Sequence, residues 1–222
     1  MIISSTANGK ASDITKEIER VLKQQYKRIP ADQNEKVLDG IQKFIEFTHQ
    51  PRVALRDVIH EAAMTVYRLF SFKEITIGLK SRVDGKYRYT EIIGHSRTAS
   101  EALRRLSYTY DDFFNQRDYP AIRLSKYTEL ALAEEQPFLE SEKDTYNRPT
   151  LLSDVRKSVD VIVEGDYFDT YMYGPKDEMI GWIELGMTRD GKMPSMMVIK
   201  QLELFASILS CIIQQMTAAR NE

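Results

Sequence analysis

The sequence predicts an α+β fold: a central antiparallel β-sheet with helices packed on one face, preceded by N-terminal helices. Apolar and polar residues alternate with a period of two over residues 72–93 and again over 167–187, and each stretch folds back at a turn. Before the first stretch and after the second, apolar residues recur every three or four positions. Because the strands form hairpins and the helices lie outside them, a doubly wound parallel sheet is excluded.

Composition narrows the classes of function. The 222 residues include 31 Lys and Arg against 33 Asp and Glu, a formal net charge of -2, so we expect no nucleic-acid partner. The N-terminus lacks a secretory signal, and no segment approaches the ~20 apolar residues that span a bilayer, so we expect a cytoplasmic protein without a membrane partner. The single cysteine, Cys211, cannot form an internal disulfide and is interpreted as a buried structural thiol.

The first fifty residues are predicted to form two helices, with apolar positions at helical spacing over 14–29 and 37–45. Asp32, followed three residues later by a glutamate, has the spacing of a capping box and marks the start of the second helix. We therefore treat residues 1–50 as an N-terminal helical extension and residues 51–222 as the main domain.

A third helix is predicted over residues 52–70, where one narrow apolar stripe recurs at helical spacing. The first hairpin follows, with strands over 72–80 and 87–93. Asp84-Gly85 lies between them and is typical of a tight turn.

The segment between the hairpins is predicted to be a largely helical insert. Thr98 and Glu101 have capping-box spacing, so we expect a helix from there to Tyr110. A second short helix is expected over Lys126–Glu135. Proline has no N–H for a ladder, so the proline-containing segment Gln136–Ser141 allows only an edge or short strand.

The second hairpin is predicted over 167–173 and 178–187. By alternation, Tyr167, Tyr171 and Tyr173 share one face of its first strand. On its second strand we expect Trp182 and Glu184 on one face, and on the other face Met179, Gly181, Ile183 and Leu185.

A closing helix is predicted after Pro194. Its apolar positions alternate at spacings of four and three, which is typical of a helix that packs lengthwise against another helix. These positions are Val198, Leu202, Phe205, Leu209, Ile212 and Met216.

The last hairpin and helix resemble a GAF domain. Asp166 through Gly174 and then Glu178–Leu185 look like the paired strands that end these domains. Asp190–Ser195 and Leu202–Ala206 are similar to the loop and C-terminal helix of GAF domains in bacterial and archaeal sensor proteins. The resemblance covers Arg52–Met216 and implies a regulatory module with a small-molecule pocket beneath a helical insert.

Known GAF activities can be compared with the residues they require. Bilin attachment needs a pocket cysteine and the free methionine-sulfoxide reductases need several cysteines, whereas this chain has only Cys211. We therefore expect neither activity. The Asn-Lys/Phe/Asp-Glu pattern of cyclic-nucleotide domains is absent, so the sequence gives no support for a cyclic-nucleotide ligand. His95 is the one histidine placed near the expected pocket, and a single histidine is more typical of a loop residue than of a haem or iron ligand. No nucleophile elbow, metalloprotease pair or phosphate loop occurs, so we expect neither an enzyme nor a metal site, and the sequence identifies no cofactor.

The many aromatic residues of the insert and the last hairpin predict a ligand pocket. Glu184, on the face opposite the helices, is placed to receive a cationic or hydrogen-bonding ligand. The candidate ligand-binding residues are Trp182, Glu184, Tyr171, Tyr173, His95, Tyr110 and Phe113. The alternative is a phosphate or carboxylate bound by Arg104, Arg105, Arg117 and Arg123.

The sequence thus predicts a signal-transduction module that binds a small molecule and forms a homodimer through its terminal helices. Its output protein would be separate or fused. The alternative is a protein-interaction or dimerisation module that binds no ligand.

Overall fold

The computed structural model describes residues 18, 20–21, 32–152 and 154–218. The chain divides into two units, Met1–Lys36 and Val37–Glu222. Ile18, Arg20 and Val21 are helical, and the rest of the helix predicted over 14–29 lies outside the described residues. The sheet, the core and the site all belong to the second unit.

In the described part of the chain six strands form one sheet, in which every neighbouring pair is antiparallel. The order across the sheet is β2-β1-β6-β5-β4-β3, so the two predicted hairpins, which are confirmed, lie side by side, with β1 next to β6 and β2 at one edge. The strands are β1 Phe72–Lys80, β2 Tyr87–Ile93, β3 Ile122–Arg123, β4 Thr128–Ala131, β5 Tyr167–Tyr173 and β6 Met179–Thr188.

Four helices are described in full: α1 Gln33–Thr48, α2 Leu55–Leu69, α3 Arg97–Leu103 and α4 Met196–Ala218. The predicted cap of α1 is confirmed, because the Glu35 amide donates to Asp32 Oδ1 at 3.0 Å. Helix α2 packs on β1 and β2, and α4 packs on β5 and against α2.

One face of the sheet forms the hydrophobic core with α1, α2 and α4. Alternation directs Ile75, Ile77, Ile183 and Leu185 to this face, and all four are fully buried. The helices contribute a second layer, listed by helix as Val37, Ile41 and Phe44 from α1, Val58, Ala62 and Val66 from α2, and Leu202, Phe205 and Leu209 from α4. The boundary at residue 50 between an extension and the main domain stays a prediction.

Helix α4 differs from the sequence expectation in one respect. With a mean hydropathy of 1.8 it is long and apolar enough to cross a membrane by length and composition, although no such segment was expected. Its inner side is part of the core, which equally accounts for an apolar helix. Cys211 lies on its outer side and is exposed, so the interpretation as a buried thiol was wrong.

Three expectations for the middle of the chain were also wrong. Helix α3 is capped by Ser96, whose Oγ accepts from the Ala99 amide at 3.1 Å, and it ends at Leu103, well before Tyr110. The expected helix over 126–135 is instead strand β4 and a 3-10 turn over Ala133–Glu135, because β4 pairs with β5. No strand forms over the described residues 136–141, which are irregular before a 3-10 turn begins at residue 140.

One side chain lies on the opposite face from the one expected. Tyr173 pairs with Met179 but Met172 pairs with Gly181, so β6 carries an extra residue, Ile180, at this point. Such a bulge reverses the alternation on one side of it. Met179 is therefore buried beside Trp182, away from the helical core.

Candidate functional site

The second face of the sheet carries aromatic side chains centred on Trp182. The ring centroid of Trp182 lies 4.9 Å from that of Phe113 and 5.0 Å from that of Tyr89. Trp182 can lie flat on the sheet because its neighbour on β1 is Gly78, where a Cβ atom would stand 1.9 Å from the indole. As a result Trp182 is only 1% exposed.

A cavity of about 100 Å³ lies between this face and the covering loops, which we define as residues 103–121 and 136–147. Its walls combine aromatic rings with carboxylates. The aromatic lining is Tyr89, Tyr108, Phe113, Tyr119, Phe138, Tyr146, Tyr167, Tyr171 and Trp182, and the acidic lining is Glu74, Asp112, Asp118, Glu129, Glu142, Glu164, Asp166, Asp169 and Glu184.

Three of these carboxylates form a row across adjacent strands. Glu129 on β4 is the register partner of Asp169 on β5, and Asp169 is the register partner of Glu184 on β6. Directly opposite residues of an antiparallel pair have Cβ atoms about 4.5–5.5 Å apart, and like charges there are destabilising. The carboxylate row, Glu129, Asp169 and Glu184, is thus an arrangement that costs stability.

The two outer members of the carboxylate row have partners within the protein. Glu129 pairs with Arg123 Nε at 3.0 Å and accepts from the Tyr171 hydroxyl at 3.0 Å. Glu184 accepts from the Tyr89 hydroxyl at 2.7 Å. The central member differs, because Asp169 Oδ1 is buried and has no hydrogen-bond partner among the described residues.

The environment of the carboxylate row disfavours ionisation. Burial raises the pKa of Asp169 well above its usual range, and the charges of Glu184 and Glu129 raise it further. Burial also raises the pKa of Glu184, to about 7, although hydrogen bonds from Tyr89 and from the Trp182 indole work in the opposite direction. Protons and cations therefore compete for the carboxyl group of Glu184 near neutral pH.

The acidic residues just before β5 are neutralised by arginines. Asp166, whose side chain is fully buried, pairs with Arg156 at 2.7 Å and accepts from the amides of Ala133 and Val163. Arg156 also pairs with Glu134 at 2.7 Å. These contacts tie three segments of the chain together at the rim of the cavity.

Glu164, two residues earlier, is held in a similar way by Arg148, at 2.8 Å from its Nη2. Glu142 of the covering loops accepts from the Tyr119 hydroxyl at 2.6 Å, and Glu74 accepts from Asn147 Nδ2 at 2.5 Å. Hydrogen bonds of this kind fix the covering loops over the sheet.

His95 lines the cavity, where burial lowers its pKa. Its Nδ1 lies 3.2 Å from the Ile93 carbonyl oxygen, which makes it a hydrogen-bonded loop residue. Within the described residues no group of three or more His, Cys, Asp or Glu side chains is arranged to hold a metal ion.

The structure brings five of the seven candidate residues together. Those five line the cavity: Trp182, Glu184, Tyr171, His95 and Phe113. Tyr173 lies outside that lining and packs against Tyr127, while Tyr110 is 49% exposed and packs against Phe114. The arginines Arg104, Arg105, Arg117 and Arg123 are exposed and do not line the cavity, and Arg123 pairs with Glu129.

Sequence reasoning missed the centre of the carboxylate row. Asp169 alternates with Tyr167 and Tyr171, so the period of two that placed those rings would also have placed this carboxylate toward the cavity. Glu129 was missed for another reason, because the segment that carries it was expected to be helical.

Comparison with solved structures finds GAF domains. The chain matches the phycoerythrobilin-bound GAF domain of a cyanobacterial phytochrome with a TM-score of 0.55 at 14% identity, over 87% of this chain and 100% of that one. For the GAF domain of a phosphoenolpyruvate-protein phosphotransferase from Coxiella burnetii the TM-score is 0.53 at 12% identity, over 84% and 97% of the two chains.

The corresponding domain from Acinetobacter gives a TM-score of 0.51 at 12% identity, over 84% of this chain and 98% of that one. No family model and no curated protein matches the chain. These similarities confirm the α+β class and the predicted resemblance at the level of the fold.

Proposed function

We propose that this chain, which has the fold of a GAF domain, is a sensory or regulatory module that binds a small molecule in the cavity. One observation carries the proposal: Asp169 Oδ1 is buried at the cavity without a hydrogen-bond partner among the described residues. A buried polar group left unpaired costs about 1–3 kcal/mol. A ligand that supplies a donor to this carboxylate would remove that cost.

The proposed module transmits ligand binding through α4. A ligand shifts an equilibrium only by its differential affinity for two states, and here the two states would be two positions of the covering loops over the sheet. Helix α4 packs on β5, the strand that carries Asp169, so a change at the carboxylate row reaches this helix through one strand. The output protein would be separate or fused, and the module would act in the cytoplasm without catalysis of its own.

Homodimerisation through α4 is part of the proposal. The outer side of this helix exposes apolar residues, with Met197 56% and Leu204 52% exposed, and Cys211 lies on the same side. A second copy of the helix would cover this stripe. A protein-interaction module that binds no ligand is the second candidate, and the same stripe supports it.

Ligand binding is tested on the full chain as purified. Native mass spectrometry should detect a bound species, and a metabolite library should contain molecules that raise the unfolding temperature, because a ligand specific for the native state stabilises it. Absence of both a bound species and any stabilisation would favour the interaction module.

Dimerisation is tested by light scattering across protein concentration. We expect a dimer for the wild type and a monomer for Leu204→Glu, because a charge would be placed in the helix contact. Val83→Glu is the matched control, since Val83 is 97% exposed on the turn between β1 and β2, and it should remain dimeric. A wild type that is monomeric at every concentration contradicts this part of the proposal.

A further inference from the structure

We infer that the ligand of the cavity is a small organic cation, an ammonium compound with N–H donors. This inference rests on the proposed small-molecule function and names the chemical class of the ligand.

The charge balance of the lining points to a cation. Nine carboxylate side chains of the described residues line the cavity, and none of the lining side chains is a lysine or arginine. Arginines outside the lining neutralise three of the nine, listed as Glu129 with Arg123, Glu164 with Arg148 and Asp166 with Arg156. Buried charges are normally paired, so a site with this excess favours a positively charged occupant.

The position for the ammonium group lies between Asp169 and Glu184. These two residues face each other across β5 and β6, so one nitrogen can contact both carboxylates. A primary ammonium group supplies three N–H donors, and Asp169 Oδ1 is a buried acceptor with no partner in the described structure. Glu184 accepts from Tyr89 through Oε2, and because a carboxylate has about four acceptor sites it can also accept from the ligand nitrogen.

The aromatic walls suit the same ligand. Rings of Trp182, Tyr89 and Tyr108 surround this part of the cavity, and aromatic faces attract ammonium groups at distances of up to about 6 Å. Trp182 stands two residues before Glu184 on β6, about 7 Å along the strand. Its indole N–H interacts with the Glu184 carboxylate and so helps to hold that carboxylate beside the ammonium position.

A metal ion fits this site less well than an organic cation. The described carboxylates do not converge in a group able to hold a metal, whereas rings and carboxylates alternate around the cavity. Protons are the other competitor, since protonation of Asp169 and Glu184 also neutralises the carboxylate row. A proton makes no contact with the aromatic walls, so the ammonium compound accounts for more of the site.

Trp182 is the only tryptophan in the sequence, so its fluorescence reports on the cavity directly. We would titrate the full chain near neutral pH with choline, with ethanolamine, with the neutral choline isostere 3,3-dimethylbutan-1-ol and with succinate, and confirm binding by calorimetry. Each probe has a polar oxygen, only the first two carry an ammonium group, and of these only ethanolamine has N–H donors. We expect the better ammonium probe to bind about tenfold or more tightly than the isostere.

Two variants remove charge from the carboxylate row without changing its shape. Asp169→Asn and Glu184→Gln should each weaken the ammonium probe by about tenfold or more, while Asp111→Asn, an exposed aspartate outside the lining, should leave it unchanged. Because the two variants lie on different strands, misfolding of one does not remove the test.

The outcomes separate this inference from the proposed function. Binding of the neutral isostere or succinate without the ammonium probes overturns the cationic class and supports a small-molecule site. Equal affinity of wild type and both variants also overturns the cationic class. No response to either ammonium probe at millimolar concentration overturns it as well, while native mass spectrometry decides independently whether the cavity binds any molecule.

Discussion

Replacing Glu184 by glutamine should make the protein more stable at alkaline pH. The glutamine keeps the shape of the side chain and an oxygen that accepts from the Tyr89 hydroxyl, but it cannot ionise. Its amide can also donate to Asp169, the register partner on β5. We therefore expect Glu184, a residue of the candidate site, to lower the stability of the native protein.

The magnitude follows from the pKa of Glu184. Burial raises this pKa from 4.5 to about 7, and the charges of Glu142 and Glu74, from the covering loops and β1, act in the same direction. One pKa unit corresponds to about 1.4 kcal/mol, so ionising Glu184 in the folded protein costs about 3 kcal/mol more than in the unfolded chain.

The sign of the pH dependence follows from proton binding. Between the unfolded pKa of 4.5 and the folded pKa of about 7, the native state holds the proton of Glu184 more tightly than the unfolded state. The stability that this proton adds to the folded state is fully present below the unfolded pKa and is lost as pH rises through the folded pKa. Burial also raises the pKa of Asp169, so this residue adds to the same loss of stability with rising pH.

The assay is urea unfolding of wild type and Glu184→Gln at about pH 4 and about pH 8. The free energy of unfolding of the variant, relative to wild type, should rise by about 3 kcal/mol between the two pH values. Glu178→Gln, at an exposed glutamate beside β6, should follow the wild type at both. Equal pH slopes for Glu184→Gln and wild type would refute the reasoning.

Two further substitutions test the packing around the cavity. Gly78→Ala should lower the free energy of unfolding by about 1–3 kcal/mol and shift the fluorescence of Trp182 to longer wavelength, because the new Cβ displaces the indole. An unchanged spectrum would show that the ring does not lie on Gly78. Arg156→Ala should cost about 3–5 kcal/mol by leaving the buried Asp166 unpaired. Arg88→Ala, which removes an exposed ion pair, should cost about 1 kcal/mol or less, and equal losses for the two arginines would contradict this assignment.

The fold was largely predictable because it depends on local patterns. Alternation located both hairpins, and it also assigned Trp182 and Glu184 to the cavity face and Ile183 and Leu185 to the core. Each of these assignments depends on residues two positions apart. The capping residue Asp32 was predictable for the same reason.

The errors occurred where distant parts of the chain decide local structure. Strand β4 forms because β5 pairs with it, and a bulge at Ile180 reverses the face of Met179. Neither event has a local signal in the sequence. Cys211 is exposed because α4 has only one side in the core, and the apolar residues around it gave no indication of which side that is.

The indole N–H resonance of Trp182 provides the most direct test of the cavity as a binding site. The protein contains one tryptophan, so a ¹H–¹⁵N spectrum holds one indole signal. We expect this signal to shift as ethanolamine is added, because the ligand binds beside the indole and changes its contact with Glu184, and to shift much less with Asp169→Asn. An indole signal that stays in place at saturating ethanolamine would contradict the account.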